Sequence, residues 1–283
     1  MKTENSRLPF FLGLLCLCLA APVGGKGLDI LICYPGGSVR AQDAKPALDS
    51  MISVLESIGG WPQGTIHTQF TARTKQCQQL LNKKPHFAIL SLGLFLQNRE
   101  ALQLVPLVQP RIEGSTTDTF RVLTRKDAAK NLAELKGKSL GGPWLSEPEF
   151  LARMVFDGQI DPASHFQLKP SRRALRALRK LAKGKLDAVL VNQMQYDGLA
   201  LLPFAAKLSV AFTSQALPQI GVVANQQRTS AEDRRRLLQA ISTMCTHEQG
   251  KKLCELFSIE TFVPVDEKVY EAVIQRWKQV QKM

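Results

Sequence analysis

Histidine does metal or acid–base chemistry only beside further ligands or carboxylates at set spacings. None of the four histidines of this chain, His67, His86, His165 and His247, is paired at metal-ligand spacing. There is no HExxH or CxxC, no GxSxG nucleophile elbow and no GxGxxG dinucleotide loop. His67 falls in the middle of an extended run and reads as structural. Gly137-Lys138-Ser139 has the ending of a phosphate-binding loop. The first glycine of that motif would fall at position 132, which is leucine, and the residues lead from a helix into a strand, the reverse of what the motif needs. Glu147 and Glu149 are two acids close in sequence, a pattern that acid–base catalysis uses. They read better as first-turn acids opposing the positive end of a helix, with Ser146 as its N-cap. No catalytic, metal or cofactor constellation is assembled, so the chain is expected to bind rather than to catalyse.

The strongest charge feature is the run Arg172, Arg173, Arg176, Arg179, Lys180, Lys183 and Lys185. Leu175, Leu178 and Leu181 recur through it at helical spacing. The segment is therefore an amphipathic helix with a basic outer face. That face is read as solvated, with a docking or acidic membrane surface as the alternative.

The elements that would position these groups alternate in type. Residues 28–33 are a short apolar run closed by Tyr34-Pro-Gly-Gly37, a buried strand and a turn. Residues 44–58 carry apolar positions at helical spacing, closed by Gly59-Gly60. A strand at 65–70, a helix at 71–82 and a strand at 87–91 continue a βαβ rhythm. Strands at 102–108 and 120–124 follow, and the rhythm restarts. Short elements at 132–135 and 138–141 lead to helices at 147–156 and 171–182, between strands at 165–168 and 186–191. Strands at 207–212 and 220–224 precede helices at 231–244, 247–257 and 267–280. Two α/β units without a linker suggest two lobes packed as one body.

Lys2 and Arg7 precede an uncharged stretch whose centre, 10–21, is almost wholly apolar and which ends in small residues, Ala20, Ala21, Gly24 and Gly25. These are the three parts of a secretory signal, assigned to residues 1–25. An uncleaved anchor is the alternative. Cys16 and Cys18 lack the small residues that a lipoprotein signal places before its cysteine. The net charge of +13 favours acidic partners in general, and an exported location sets nucleic acid aside. Outside the signal stand Cys33, Cys77, Cys245 and Cys254. Cys33 and Cys77 read as buried small residues. Cys245 and Cys254 would lie roughly 13 Å apart on one continuous helix, too far to bridge. They are a candidate disulfide if Gly250 breaks the helix and the chain folds back.

Four segments in order resemble the extracytoplasmic solute-binding proteins of ABC importers, in particular the phosphate/phosphite/phosphonate-binding component family. They are Lys84-Pro-His-Phe-Ala-Ile-Leu-Ser-Leu-Gly93, Asn131-Leu-Ala-Glu-Leu-Lys-Gly-Lys138, Leu181-Ala-Lys-Gly-Lys-Leu-Asp-Ala-Val-Leu190 and Phe257-Ser-Ile-Glu-Thr-Phe262. The resemblance covers residues 28–275. It implies a two-lobed type II periplasmic-binding-protein fold, each lobe a mixed, mainly parallel sheet flanked by helices. Two crossings near 116–121 and 213–219 would form the hinge. Residues 26–118 and 216–283 would make lobe one and 119–215 lobe two. The family's phosphonate binders carry a Ser-Thr-Ser-Gly-like loop after the first strand of lobe two. Here that loop is Gly141-Gly-Pro-Trp-Leu-Ser-Glu-Pro148, in which Ser146 alone keeps a hydroxyl and Glu147 places a carboxylate where the anion would sit. The family's histidine before the next helix falls near Ser171-Arg172.

Open α/β sheets bind ligands beyond the C-terminal ends of their strands. The ligand-binding candidates are accordingly Tyr34, Ser38, Gln69, Ser91, Leu92, Trp144, Ser146, Asn192 and Gln193. Each has a structural alternative as a helix cap or turn residue, and Trp144 could equally stack on a ligand ring or pack in a core. The resemblance implies a periplasmic monomer without cofactor that takes a small solute to ABC permease subunits, with phosphonate-type ligands conditional on the altered loop. A sensory module that signals to a membrane receptor or kinase is the alternative.

Overall fold

Alternate residues of the first strand, β1 (Leu28–Cys33), go to two different cores. Ile30 and Ile32 join one apolar cluster, and Leu31 and Cys33 join another. A strand buried on both faces reads as a continuous apolar run, which is why this segment stands out in the sequence. The structure is a computed structural model and describes residues 27–33, 35 and 41–279. The expected signal at 1–25, Tyr34 and Ser38 lie outside the described residues.

The strands after β1 are β2 (Ile66–Thr71), β3 (Phe87–Ile89), β4 (Leu104–Arg111), β5 (Thr117–Asp118), β6 (Arg121–Arg125) and β7 (Ser139–Gly142). They continue as β8 (Gln167–Pro170), β9 (Ala188–Val191), β10 (Leu208–Thr213), β11 (Leu217–Pro218), β12 (Val222–Asn225) and β13 (Thr261–Pro264). One six-stranded sheet has the order β13-β4-β12-β3-β1-β2, so it takes strands from both ends of the chain. A five-stranded sheet, β10-β6-β9-β7-β8, is built from the middle. Both are mixed. β1 runs parallel to β2 and β3, and β7 parallel to β8 and β9, whereas β12, β13, β6 and β10 pair antiparallel. Between the sheets lies a two-stranded antiparallel ribbon, β5 with β11, which pairs Asp118 with Leu217. Bonds from Ser214 N–H to the Phe120 carbonyl and from Gln219 N–H to the Thr116 carbonyl extend it at both ends.

The helices are α1 (Ala41–Gly59), α2 (Thr74–Leu81), α3 (Leu92–Asn98), α4 (Pro148–Phe150), α5 (Pro162–His165) and α6 (Ala174–Ala182). They end with α7 (Gln193–Asp197), α8 (Ala231–Met244), α9 (Glu248–Leu256) and α10 (Glu271–Gln279). Residues 147–156, expected as one helix, form α4 followed by a wider i→i+5 turn at Leu151–Val155. The basic helix begins at Ala174, so Arg172 and Arg173 precede it. Leu178 and Leu181 are buried, but Leu175 is not. Among the described residues no helix is long and apolar enough to cross a membrane.

Three clusters fill the interior. α1 and α8 cover one face of the first sheet through Leu48, Ile52, Leu237 and Ile241. α6 covers the outer face of the second sheet. The largest cluster runs without a break from Leu31, Ala88 and Leu90 of the first sheet to Val122, Leu140 and Leu190 of the second. It passes through Phe95, Phe120, Phe150 and Phe156, so the two lobes share one core near the hinge. α10 reinforces this junction. Arg153 donates to the Trp277 carbonyl at 2.8 Å and stacks over its ring.

All four cysteines outside the expected signal are bonded. Cys33 and Cys77 form a disulfide with Cα atoms 5.7 Å apart, which corrects their reading as unpaired core residues, although both are fully buried. Cys245 and Cys254 form a second, with Cα atoms 5.6 Å apart. The chain breaks between α8 and α9, at residues 245–247, and not at Gly250. Gly250 lies inside α9, where an added Cβ would fall 2.0 Å from the Met244 carbonyl oxygen. Its lack of a side chain lets α9 fold back onto the end of α8 and brings the sulfurs together.

Candidate functional site

The ends of β3 and β7 face one another across the two lobes. Ser91 follows β3 and caps α3, accepting from the Leu94 N–H at 3.2 Å. Its own hydroxyl donates to Glu147 Oε1 at 2.7 Å, and the Leu94 N–H also supports that carboxylate. Glu147 therefore does not serve as a solvated first-turn acid. It is the N-cap residue of α4, a position expected for Ser146, and its side chain turns away into the lobe junction. Glu149 alone behaves as expected of a surface acid and pairs with Arg153 at 2.6 Å. Glu147 Oε2 is buried without a partner. Burial outweighs the two hydrogen bonds and pushes the carboxyl up to about 7. Gly93 makes the contact possible, because a Cβ there would stand 2.7 Å from Phe150 Cβ and 2.8 Å from Glu147 Oε1. The inner part of the cleft is thus closed by protein groups.

The outer part is open. A cavity of about 270 Å³ is lined by Ala72, Arg73 and Thr74 from the β2–α2 connection of lobe one. Its other wall is Pro143 and Ser146 after β7, with Pro170 at the end of β8 and Ser171 and Arg172 after it. Two arginines and three hydroxyl residues meet there, and no carboxylate lines it. Thr74 Oγ1 is buried without a hydrogen-bond partner. α2 and α6 both begin beside the cavity and neither carries a side-chain cap. Uncapped helix N-termini and guanidinium forks attract the same ligands, namely oxyanions.

The remaining candidates are distributed elsewhere. Gln69 is exposed within β2, opposite Leu31. Leu92 is buried in the shared core. Trp144 is half-buried with its ring edge-on to Phe120 at 5.4 Å. Asn192 and Gln193 begin α7, where Asn192 forms a capping box with Gln195. Asn192 Nδ2 and the Gln193 N–H both donate to Asp118 at 3.0 Å, and Arg121 donates to Gln193 Oε1. Burial raises the Asp118 carboxyl, and these donors oppose the shift. Among the described residues, Ser146 is the one candidate that lines the open cavity.

Arg73, Thr74, Ser171 and Arg172 were not among the candidates. Arg73 and Thr74 lie just past the end of β2 and satisfy the strand-end rule, whereas Gln69 lies within the strand. Two of the histidines, His165 and His86, make hydrogen bonds within the fold. His165 bonds through Nε2 with the Leu132 carbonyl at 2.8 Å. His86 Nδ1 accepts from the Asp29 N–H, and burial lowers its pKa. Among the described residues no cluster of three or more His, Cys, Asp or Glu is placed to hold a metal.

A family model described as "ABC transporter, phosphonate, periplasmic substrate-binding protein" matches residues 41–270. Among solved structures, the chain is similar to a binding protein component of an ABC phosphonate transporter from Pseudomonas aeruginosa. The TM-score is 0.68 at 17% identity, covering 90% of this chain and 87% of that one. A Xanthomonas citri protein bound to ATP gives a TM-score of 0.68 at 14% identity, over 91% and 98% of the two chains. A Prochlorococcus marinus protein in complex with methylphosphonate gives 0.66 at 15% identity, over 92% and 100%. At these identities the likeness establishes the two-lobed type II fold. No curated protein is a significant match.

Proposed function

Because this chain belongs to the family of periplasmic substrate-binding proteins of phosphonate ABC transporters, we propose that it captures a small oxyanion between Arg73 and Arg172 and carries it to an importer. The family binds solutes for transport and performs no catalysis. The observation that carries the anion assignment is the outer cavity. Cationic and hydroxyl groups from both lobes converge on it, and no carboxylate is present to compete with a ligand. A ligand that touches Arg73 on one lobe and Ser146, Ser171 and Arg172 on the other gains contacts only when the lobes are together. Binding therefore favours the closed form, and closure is the signal that a permease reads.

In this proposal residues 26–118 and 216–283 act as one lobe and 119–215 as the other, with β5 and β11 as the hinge. The protein works outside the cytoplasm as a monomer, with ABC permease subunits as its partners. Of the similar structures, one holds methylphosphonate and another ATP, which makes phosphorus oxyanions the first class to examine. The inner anchoring loop of the phosphonate binders is replaced here, so the oxyanion is assigned to the outer cavity and not to the position that Glu147 occupies.

Thermal unfolding with orthophosphate, methylphosphonate and sulfate tests the proposal. A ligand at 100 times its dissociation constant should add about 2.7 kcal/mol of stability. Arg73→Ala and Arg172→Ala should each abolish the shift while leaving the unliganded protein folded. Absence of a shift with every anion, or an equal shift in both variants, would refute the assignment.

A further inference from the structure

The outer cavity does not end at Arg172. A second cavity of about 700 Å³ adjoins it, and the two share Pro170, Ser171 and Arg172 as a common wall. The larger one is lined by Lys169, Arg173, Arg176 and Lys180, with Leu168, Ala177 and Leu186 at its base and no acidic residue. These four cations and Arg172 are exposed, and among the described residues none of them is paired with a carboxylate. A solvated basic helix face ordinarily carries interspersed acids at i±3 or i±4. α6 has none: its sequence is ALRALRKLA. The charge is concave, of one sign and continuous with the interlobe site.

We propose that the protein's ligand is an extended oligoanion with a phosphate or phosphonate head between Arg73 and Arg172 and further anionic groups over Lys169, Arg173, Arg176 and Lys180. This rests on the oxyanion assignment of the outer cavity. A single phosphoryl group carries about two negative charges at neutral pH, which leaves most of this field uncompensated. A chain of linked phosphoryl groups meets it along its length. It also explains the uneven chemistry of the two walls. The interlobe cavity offers hydroxyls as well as guanidinium groups, suited to fixing one head group. The larger cavity offers long cationic side chains, suited to a chain of repeated charge.

Inorganic triphosphate and orthophosphate are the probes, measured by calorimetric titration at one fixed ionic strength. Triphosphate should bind at least tenfold more tightly than orthophosphate. The double variant Arg176→Ala/Lys180→Ala, at exposed positions, should collapse that ratio toward one. Arg73→Ala should weaken both probes. A ratio near one in the unaltered protein, with orthophosphate still dependent on Arg73, would sink the extended ligand and leave the oxyanion assignment standing. Triphosphate binding that ignores Arg73→Ala would place the probe in the larger cavity alone and would also overturn the proposal. If neither probe binds, both the extended ligand and the oxyanion assignment fail.

Discussion

Ser91 Oγ and Glu147 Oε1 stand 2.7 Å apart, a hydrogen bond between the end of β3 in one lobe and the loop after β7 in the other. The second carboxylate oxygen has no partner in a buried setting, so the contact is most favourable when Glu147 carries a proton. The folded state holds the carboxyl up at about 7 against an ordinary value of 4.5. The folded chain therefore keeps this proton across a window in which the unfolded chain has released it. The stabilisation is complete below pH 4.5 and is lost as pH rises through 7, a difference on the order of 3 kcal/mol. Glu147→Gln keeps an oxygen for Ser91 and cannot ionise. Urea unfolding at pH 5 and pH 8 should show the variant gaining stability relative to the unaltered protein as pH rises. A constant difference across that range would refute the buried-carboxyl account.

Gly93 sets how closely the lobes approach. Gly93→Ala inserts a methyl group 2.7 Å from Phe150 Cβ, and the first turn of α3 must withdraw to accommodate it. Overpacking of this kind costs about 1–3 kcal/mol. The Ser91–Glu147 bond should lengthen or break in the same step. The expected result is a lower melting temperature together with a larger radius of gyration by solution scattering. An unchanged radius would mean that the strain is absorbed within α3.

The two disulfides should differ in weight. Cys33 and Cys77 are separated by 44 residues, and Cys245 and Cys254 by 9. Loop-closure entropy gives about 4 kcal/mol for the longer loop and about 2.6 for the shorter. Cys33→Ala/Cys77→Ala should therefore destabilise more than Cys245→Ala/Cys254→Ala, and the gap should widen because Cys33 and Cys77 are fully buried. Equal chemical denaturation midpoints for the two double variants would contradict this.

Burial decides what the sequence reveals of these elements. β1 and β9 are buried on both sides and stand out as apolar runs. α3 does not, because Leu92, Gly93, Leu94, Phe95 and Leu96 are all buried at the lobe junction, so the helix lacks the polar face that gives a period of 3.6. Gly93 looks like a terminator in the sequence, whereas its real task is close approach. β5 and β11, at two residues each, are too short for any periodicity, and only the resemblance located them, through its crossings at 116–121 and 213–219. The cavity arginines were hidden for different reasons. Arg73 is one arginine in a polar stretch with no motif around it, and Arg172 stands in a basic run that reads as solvated helix although the helix begins only at Ala174. Cys33 and Cys77 carry no spacing signal, since only the three-dimensional fold brings β1 and α2 together.

The hinge supplies the last prediction. Asp118 is the second residue of β5, and it holds the start of α7 through the Gln193 N–H and Asn192 Nδ2, each at 3.0 Å. This ties the ribbon to the second lobe, while Tyr270 ties it to the first by donating to the Gln219 carbonyl at 2.7 Å. Removing the carboxylate leaves three donors, these two and the Thr119 N–H, without their acceptor. Asp118→Ala should cost about 1–3 kcal/mol on that ground. It should also free the hinge to open relative to lobe two without disturbing either sheet. Hydrogen exchange separates these effects. Faster exchange should be confined to 116–121, 192–197 and 213–219, with β1, β3 and β9 as protected as before. Loss of protection throughout the second sheet would mean that Asp118 supports the fold of the lobe and not the hinge. Tyr270→Phe removes the matching tie on the first lobe and should loosen 213–219 alone.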